Sequence, residues 1–402
     1  MSKILFITPM WYEEVFPKDP KVCNYFVDEW IKQEHKVVVV HCYSQFPWLY
    51  RRIGGLLPFL TDRLCGDNAG MNLNTREYIY DYNGSLVMSI PIYKYIPHGS
   101  FSEKTLNNYS HRLISELRRV NFVPDVIIGH FCNPAMEIIT RIRMIYPNVK
   151  TAVVLHEGAE TVSRIFGRKA ECLLNEVDSI GYRSLSIQRS IESKFKLNNS
   201  RFICYSGISS FFFKKKTHIR KWEEGSVRNF LFVGRLVYYK HPLAVIQALG
   251  NQYPDRDFNM RYIGTKGRAY SCTREYVEKN RLNNSVSFLG QINREDLVSW
   301  YDQSDCFVMI SDHEVFGLVY LEAMARGCIT IAGNNGGMEG IIKFGENGFL
   351  CTPGDVSELA SIIRKINGMS VAEKERISIN AIETAKKYSA QKVAELYLKN
   401  VL

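Results

Sequence analysis

The sequence lacks several features that would assign it to a class at once. No apolar run approaches the roughly 20 residues needed to span a bilayer. The first apolar stretch, Lys3-Ile-Leu-Phe-Ile-Thr-Pro9, is too short for a signal peptide and is interrupted by Pro9, Glu13 and Glu14. It reads better as a first buried strand. The ten cysteines, at 23, 42, 65, 132, 172, 204, 272, 306, 328 and 351, form no C-x-x-C pair, and no His/Cys cluster has zinc spacing. Several, such as Cys306 and Cys328, lie inside apolar runs, which predicts reduced thiols in a cytoplasmic protein. No G-x-G-x-x-G follows the first strand, which argues against a nucleotide oxidoreductase. The basic excess is not concentrated either: the net charge of +10 divides into +5 for residues 1–210 and +5 for the rest. That excludes a basic tail or stripe and with it a nucleic-acid partner.

What is present is ordinary globular material: 402 residues, 46% hydrophobic and 23% charged, enough for two domains with separate cores. A dispersed basic surface suits an anionic small molecule or an anionic membrane face. Short apolar, β-branched runs alternate with longer amphipathic stretches. The expected strands are Ile4–Thr8, Lys36–Cys42, Asp125–Gly129, Thr151–Leu155, Ser179–Tyr182 and Arg201–Cys204, then Phe230–Val233, Asn259–Ile263, Val286–Leu289, Cys306–Ile310 and Ile329–Ala332. Helical stretches between them include Val22–Glu34, Phe101–Val120 and Pro134–Tyr146. Continuous apolar strands separated by helices predict an α/β fold of two doubly wound, Rossmann-like parallel sheets. The expected domains are 1–207 and 208–385, with a C-terminal helix at about 386–402 packing back on the first. In open α/β sheets ligands bind beyond the strand C-termini, so two such domains would face one another across a cleft.

The sharpest motif is Ser311-Asp-His-Glu314-Val-Phe-Gly-Leu-Val-Tyr-Leu-Glu322-Ala-Met-Ala-Arg-Gly327. Glu314 falls in a strand-to-helix turn beside the backbone amides of Phe316, Gly317 and Leu318, and Glu322 falls two turns into the helix. A helix N-terminus binds phosphate. A carboxylate at the same place suits a ligand that also carries sugar hydroxyls. The second element is Phe230-Leu-Phe-Val-Gly234-Arg235-Leu-Val-Tyr-Tyr-Lys240-His-Pro242. Here a strand ends, Gly234 permits a close turn, and Arg235 with Lys240 projects at the sheet edge, a combination suited to a diphosphate. Asp255-Arg-Asp257 precedes a strand rather than following one, so it is not read as a metal site.

On these motifs the second half resembles the retaining glycosyltransferases of family 4, which have the GT-B architecture and include enzymes of bacterial surface-polysaccharide synthesis. Further matching segments are Val286-Ser-Phe-Leu-Gly290, Gly336-Gly-Met-Glu339 and Asn347-Gly-Phe-Leu350; the resemblance is close over about 228–366 and loose elsewhere. It implies that Arg235 and Lys240 contact the donor diphosphate, that Glu322 holds the ribose hydroxyls, and that Glu314 with the following amides holds the transferred sugar. Gly264 in Ile263-Gly-Thr-Lys-Gly267, and Ile292 in Gly290-Gln-Ile-Asn293, would line the base and ribose pocket. His156, in Val153-Val-Leu-His-Glu-Gly158, matches the family's catalytic-site histidine. His130 is a weaker acceptor-side candidate.

Where relatives have a Gly-Gly loop after the first strand, this chain has Pro9-Met-Trp-Tyr-Glu-Glu-Val-Phe-Pro17. That makes Trp11 and Tyr12 acceptor-side candidates. Their Asn-Gly at the domain junction is Ser206-Gly207 here.

The implied reaction moves a sugar from a UDP- or GDP-linked donor to a glycan or lipid-linked acceptor, without metal or other cofactor. The alternatives are a nucleotide-sugar 2-epimerase on the same fold and a non-catalytic nucleotide-sugar or glycan-binding protein. The segment 46–60 mixes Phe46, Trp48, Leu49 and Tyr50 with Arg51 and Arg52, which suits peripheral contact with anionic lipid.

Overall fold

Runs such as Ile4-Leu-Phe-Ile7 and Val37-Val-Val-Val40 offer no polar face to water, so they are stable only as strands covered on both sides. The computed structural model, which describes residues 1–13, 21–47, 77–94, 99–214, 222, 225–312 and 314–402, places them in that way. The chain divides into two units. The first comprises Met1–Arg183, Ile187–Tyr205 and Val393–Leu402; the second comprises Ser184–Ser186 and Ser206–Lys392.

In the first unit, eight strands form one sheet: β1 (Lys3–Thr8), β2 (Lys36–His41), β4 (Tyr78–Tyr82), β5 (Ser85–Ser89), β7 (Val126–His130), β8 (Lys150–Leu155), β9 (Ser179–Tyr182) and β10 (Ser200–Ile203). Their order is β10-β9-β8-β7-β1-β2-β5-β4, and only the β4–β5 pair is antiparallel. Two short strands, β3 (Ser44–Gln45) and β6 (Ile92–Tyr93), pair separately. The sheet centre is dry, with Phe6, Val39, Ile128 and Val153 wholly buried. Helix Glu103–Arg119 starts where Ser102 accepts the Thr105 N–H and ends on Arg118 and Arg119, as the helix dipole favours.

The β4–β5 hairpin was not anticipated. It turns on Asn83-Gly84, both at positive φ, as a tight hairpin turn requires. Of the proposed lipid-facing segment 46–60, Trp48 onward lies outside the described residues.

The second unit holds a six-stranded, wholly parallel sheet in the order β13-β12-β11-β14-β15-β16. Its strands are β11 (Asn229–Val233), β12 (Asn259–Ile263), β13 (Val286–Gly290), β14 (Cys306–Met309), β15 (Ile329–Gly333) and β16 (Phe349–Cys351). The C-terminal pattern resolves into two helices, Val371–Lys387 and Ala390–Val401. At the break the Ala390 N–H donates to the Ile208 carbonyl, 2.9 Å. Gly207 is required beside it, because a Cβ there would lie 2.4 Å from the Ala390 Cα. The part of the last helix assigned to the first unit packs on that unit's core: the Trp30 indole donates to the Ala394 carbonyl at 3.2 Å, and Tyr397 stands edge-on to Phe26 and Trp30.

Candidate active site

In the second unit three neighbouring strands end on glycine, and the glycines are in contact. The Gly234 N–H donates to the Ile263 carbonyl (2.8 Å), and the Gly264 N–H donates to the Gly290 carbonyl (2.7 Å). A Cβ on Gly264, whose φ is +142°, would fall 2.1 Å from the Gly234 carbonyl oxygen. The C-terminal edge of the sheet is therefore bare peptide, which lets a ligand approach the backbone closely. Ile292 is half-buried in the loop that follows β13.

The loop after β14 leads into helix Leu318–Ala325, and two more glycines shape it. Gly317, at φ +81°, precedes the helix, and a Cβ on Gly337 would lie 2.2 Å from the Phe316 Cα. The Gly337 N–H donates to the Glu314 carbonyl (2.8 Å). So fixed, Glu314 meets Lys240: the Lys240 Nζ lies 3.1 Å from the Glu314 Oε2, with both side chains largely buried. The turn carrying Lys240 is tied to the same loop at two further points. The Asp312 N–H donates to the Tyr239 carbonyl (2.7 Å), and His241 Nε2 lies 2.8 Å from the Asp312 carboxylate. Arg235 is exposed on the loop that follows β11.

Glu322 is buried and already engaged. One carboxylate oxygen takes the Arg294 guanidinium; the other accepts the Tyr301 hydroxyl at 3.1 Å. Burial and the adjacent carboxylate push the Tyr301 phenol far above its ordinary range, so it stays a neutral donor. Sequence reading missed Arg294, Tyr301 and the His241–Asp312 link. The link was the most accessible of these, since both residues lie within the motifs already singled out. Asp257, from the pair set aside as a metal site, is paired with Arg228.

In the first unit, His156 follows β8 and is half-buried, with its ring stacked on Phe131 at 3.8 Å between centroids. Its Nε2 lies 3.1 Å from Nδ1 of His130, the last residue of β7. The opposite nitrogen of His130 lies 3.0 Å from the Tyr397 hydroxyl. Burial, then the Arg183 cation, pushes both imidazoles well below their usual range, so both are neutral at physiological pH. His130 has no exposed surface, so it reaches His156 but no external molecule.

Trp11, expected on the acceptor side, is also fully buried and donates its indole N–H to the Tyr80 hydroxyl (2.9 Å). Tyr12 is half-buried under Lys21. The neighbouring Glu13 accepts from the Tyr78, Tyr80 (2.6 Å) and Ser89 (3.3 Å) hydroxyls and lies 3.2 Å from His41 Nδ1. Burial alone would raise its pKa, but these partners together hold it below the usual value. Among the described residues no cluster of three His, Cys, Asp or Glu has the arrangement of a metal site.

Residues 214–384 match the family described as Glycosyl transferases group 1. Among curated relatives, a glycogen synthase from Mycobacterium tuberculosis is 31% identical over 34% of this chain and 33% of its own length. A D-inositol 3-phosphate glycosyltransferase from Corynebacterium urealyticum is 30% identical over 41% and 42% respectively. Spore coat protein SA from Bacillus subtilis is 26% identical over 73% and 83%. The chain thus spans less than half the length of the first two relatives. Among solved structures, sucrose-phosphate synthase from Thermosynechococcus elongatus superposes with a TM-score of 0.70 over 99% of both chains at 17% identity. A chain described as trehalose-6-phosphate from E. coli, bound with UDP-2-fluoro glucose, also gives 0.70, at 13% identity over 99% and 98%. Those likenesses establish fold. The protein is an α/β chain of the GT-B fold, with two Rossmann-like units, and its residues 214–384 are similar to the group 1 glycosyl transferases.

Proposed function

We propose that the protein is a retaining, metal-independent glycosyltransferase that moves a hexosyl group from a nucleoside-diphosphate sugar to an acceptor hydroxyl. The observation that carries this reading is the Lys240–Glu314 pair, held against bare glycine strand ends at the start of a helix within the matched domain. Cleavage of a sugar–diphosphate bond builds negative charge on the departing phosphates. Arg235, Lys240 and the amides of Phe316–Leu318 are fixed dipoles and charges suited to that anion. Glu314 would then exchange part of its contact with Lys240 for sugar hydroxyls. A carboxylate has about four acceptor positions, and Glu322 uses two of them on Arg294 and Tyr301, leaving capacity for a ribose diol. Gly264 and Ile292 border the space left for the nucleoside. His156, neutral and half-buried, suits a hydrogen bond to a sugar hydroxyl.

The acceptor in this reading is a glycan or lipid-linked glycan of the bacterial envelope, reached from the cytoplasmic side. Support for it is the family resemblance; the relatives' names range from glycogen to inositol phosphate. A nucleotide-sugar screen by thermal shift tests the donor: a UDP- or GDP-sugar should raise the Tm of wild type by mass action but not that of Arg235→Ala. Nucleoside diphosphate release should require an added acceptor. Release that is equally fast without acceptor, or equal stabilisation of the variant, would overturn the proposal.

A further inference from the structure

His156 is joined through His130 to a phenol on the last helix, and the chemistry of that chain of groups decides which ring nitrogen of His156 carries the proton. His130 is wholly buried among Phe6, Phe26 and Tyr397, with ring centroids 5.0–5.8 Å away. The charged and titratable groups around the pair are Arg183, Glu157, Cys23, Cys204 and Tyr397. Cys23 Sγ is 3.9 Å from His130 Nδ1, a distance at which sulfur is a weak partner. Cys204 faces Tyr397, but a thiol accepts a hydrogen bond far less well than an imidazole nitrogen. The Glu157 carboxylate is taken by the backbone N–H groups of Cys132 (3.3 Å) and His156 (3.0 Å). Each neutral imidazole carries one N–H, so the two bonds of the relay admit only two proton arrangements. In one, Tyr397 donates to His130 Nε2 and His130 Nδ1–H donates to His156 Nε2. In the other, both bonds run in reverse, with an imidazole N–H donating to a phenol oxygen. A phenol is the stronger acid and imidazole nitrogen the stronger base, so the first arrangement prevails.

We propose that Tyr397 and His130 are positioning residues that hold His156 in the tautomer protonated on Nδ1, which makes it a hydrogen-bond donor to an oxygen of the substrate. The idea rests on His156 being a site residue, as in the function proposed above, and it adds the direction in which His156 acts. A donor suits a sugar hydroxyl oxygen or a developing anion; the opposite tautomer would suit an acceptor hydroxyl awaiting deprotonation. The last helix, Ala390–Val401, thereby sets the protonation of a residue more than two hundred positions away.

The test uses full-length protein labelled with 15N-histidine, with the His156 signals assigned by their loss in His156→Gln. Two-bond 1H–15N spectra should show wild-type His156 protonated on Nδ1, and Tyr397→Phe should convert it to a mixture of tautomers. Tyr397→Phe should also lower kcat about tenfold with donor KM unchanged, a modest share of the roughly 10⁴-fold that a misset histidine tautomer can cost. His130→Asn keeps an amide donor near the Nδ1 position, so it should retain the tautomer and more activity than His130→Leu. Nε2 protonation in wild type, or an unchanged tautomer in Tyr397→Phe, would overturn the proposal. A loss of thermal stability with kcat unchanged would do the same. The spectra require no substrate, so a protein that binds no nucleotide sugar yet shows the expected tautomer change would refute the functional reading alone.

Discussion

Two clusters, one in each unit, bury titratable groups by opposite strategies. In the first unit the His130–His156 pair is held neutral beside the Arg183 cation, and elsewhere in that unit burial pushes the carboxyl of Glu137 up to about 7. The second unit pairs opposite signs instead, setting Glu322 against Arg294, Glu314 against Lys240, and Arg326 against Asp302. Neutral groups can pass and orient protons but attract no ion at long range; paired ions can reopen to take in a charged ligand. On the proposed function, buried polarity in one cluster would serve orientation, and in the other capture.

The largest effect that would sharpen this contrast comes from Glu322→Ala. It should weaken nucleotide-sugar binding at least about 100-fold by calorimetry, and leaving the Tyr301 hydroxyl unsatisfied should cost about 2 kcal/mol of stability. Intact binding would mean that the ion-paired site captures nothing through this residue. Next is Gly264→Ala, which must force β11 and β12 apart at their ends. Chemical denaturation should show a loss of about 3 kcal/mol, with donor affinity falling in parallel.

A third test bears on the neutral strategy. Glu137 has a folded pKa of about 7 against a usual 4.5, so its folded form holds a proton that the unfolded chain releases between those values. Its contribution is thus present below pH 4.5 and lost as pH rises through 7. Glu137→Gln should accordingly gain about 2 kcal/mol relative to wild type between pH 5 and pH 8, read from paired denaturation curves. A difference independent of pH would show that Glu137 is ionised in the fold. The smallest effect concerns salt. Raising ionic strength from 0.05 to 0.5 M should weaken nucleoside-diphosphate binding about threefold in wild type, and less in Arg235→Ala.

The strands were legible because the signal is local: an unbroken β-branched run such as Val37–Val40 can be stable only inside a covered sheet. The β4–β5 hairpin escaped because Tyr78-Ile-Tyr-Asp-Tyr82 has no unbroken apolar run and follows a long aperiodic stretch, although Asn83-Gly84 was a strong turn signal. The second unit's site follows the same rule. Gly234, Lys240, Glu314 and Gly317 lie in two short segments, whereas Arg294 and Tyr301 reach Glu322 from 28 and 21 residues away. Tyr397 and His130 are separated by 267 residues, and no periodicity can pair them. Trp11 was misjudged because an aromatic residue in a loop reads as a ligand platform until the Tyr80 hydroxyl that anchors it is located.

The contact between Gly234 and Gly264 also limits how such a protein can diverge. Gly264 cannot gain a side chain without separating two strands, so mutation there cannot recontour the surface beneath the proposed nucleotide site. On the proposed function, new sugar preferences would then arise from the surrounding loops, around Lys266, Ile292 and Val315, while the platform below is inherited unchanged.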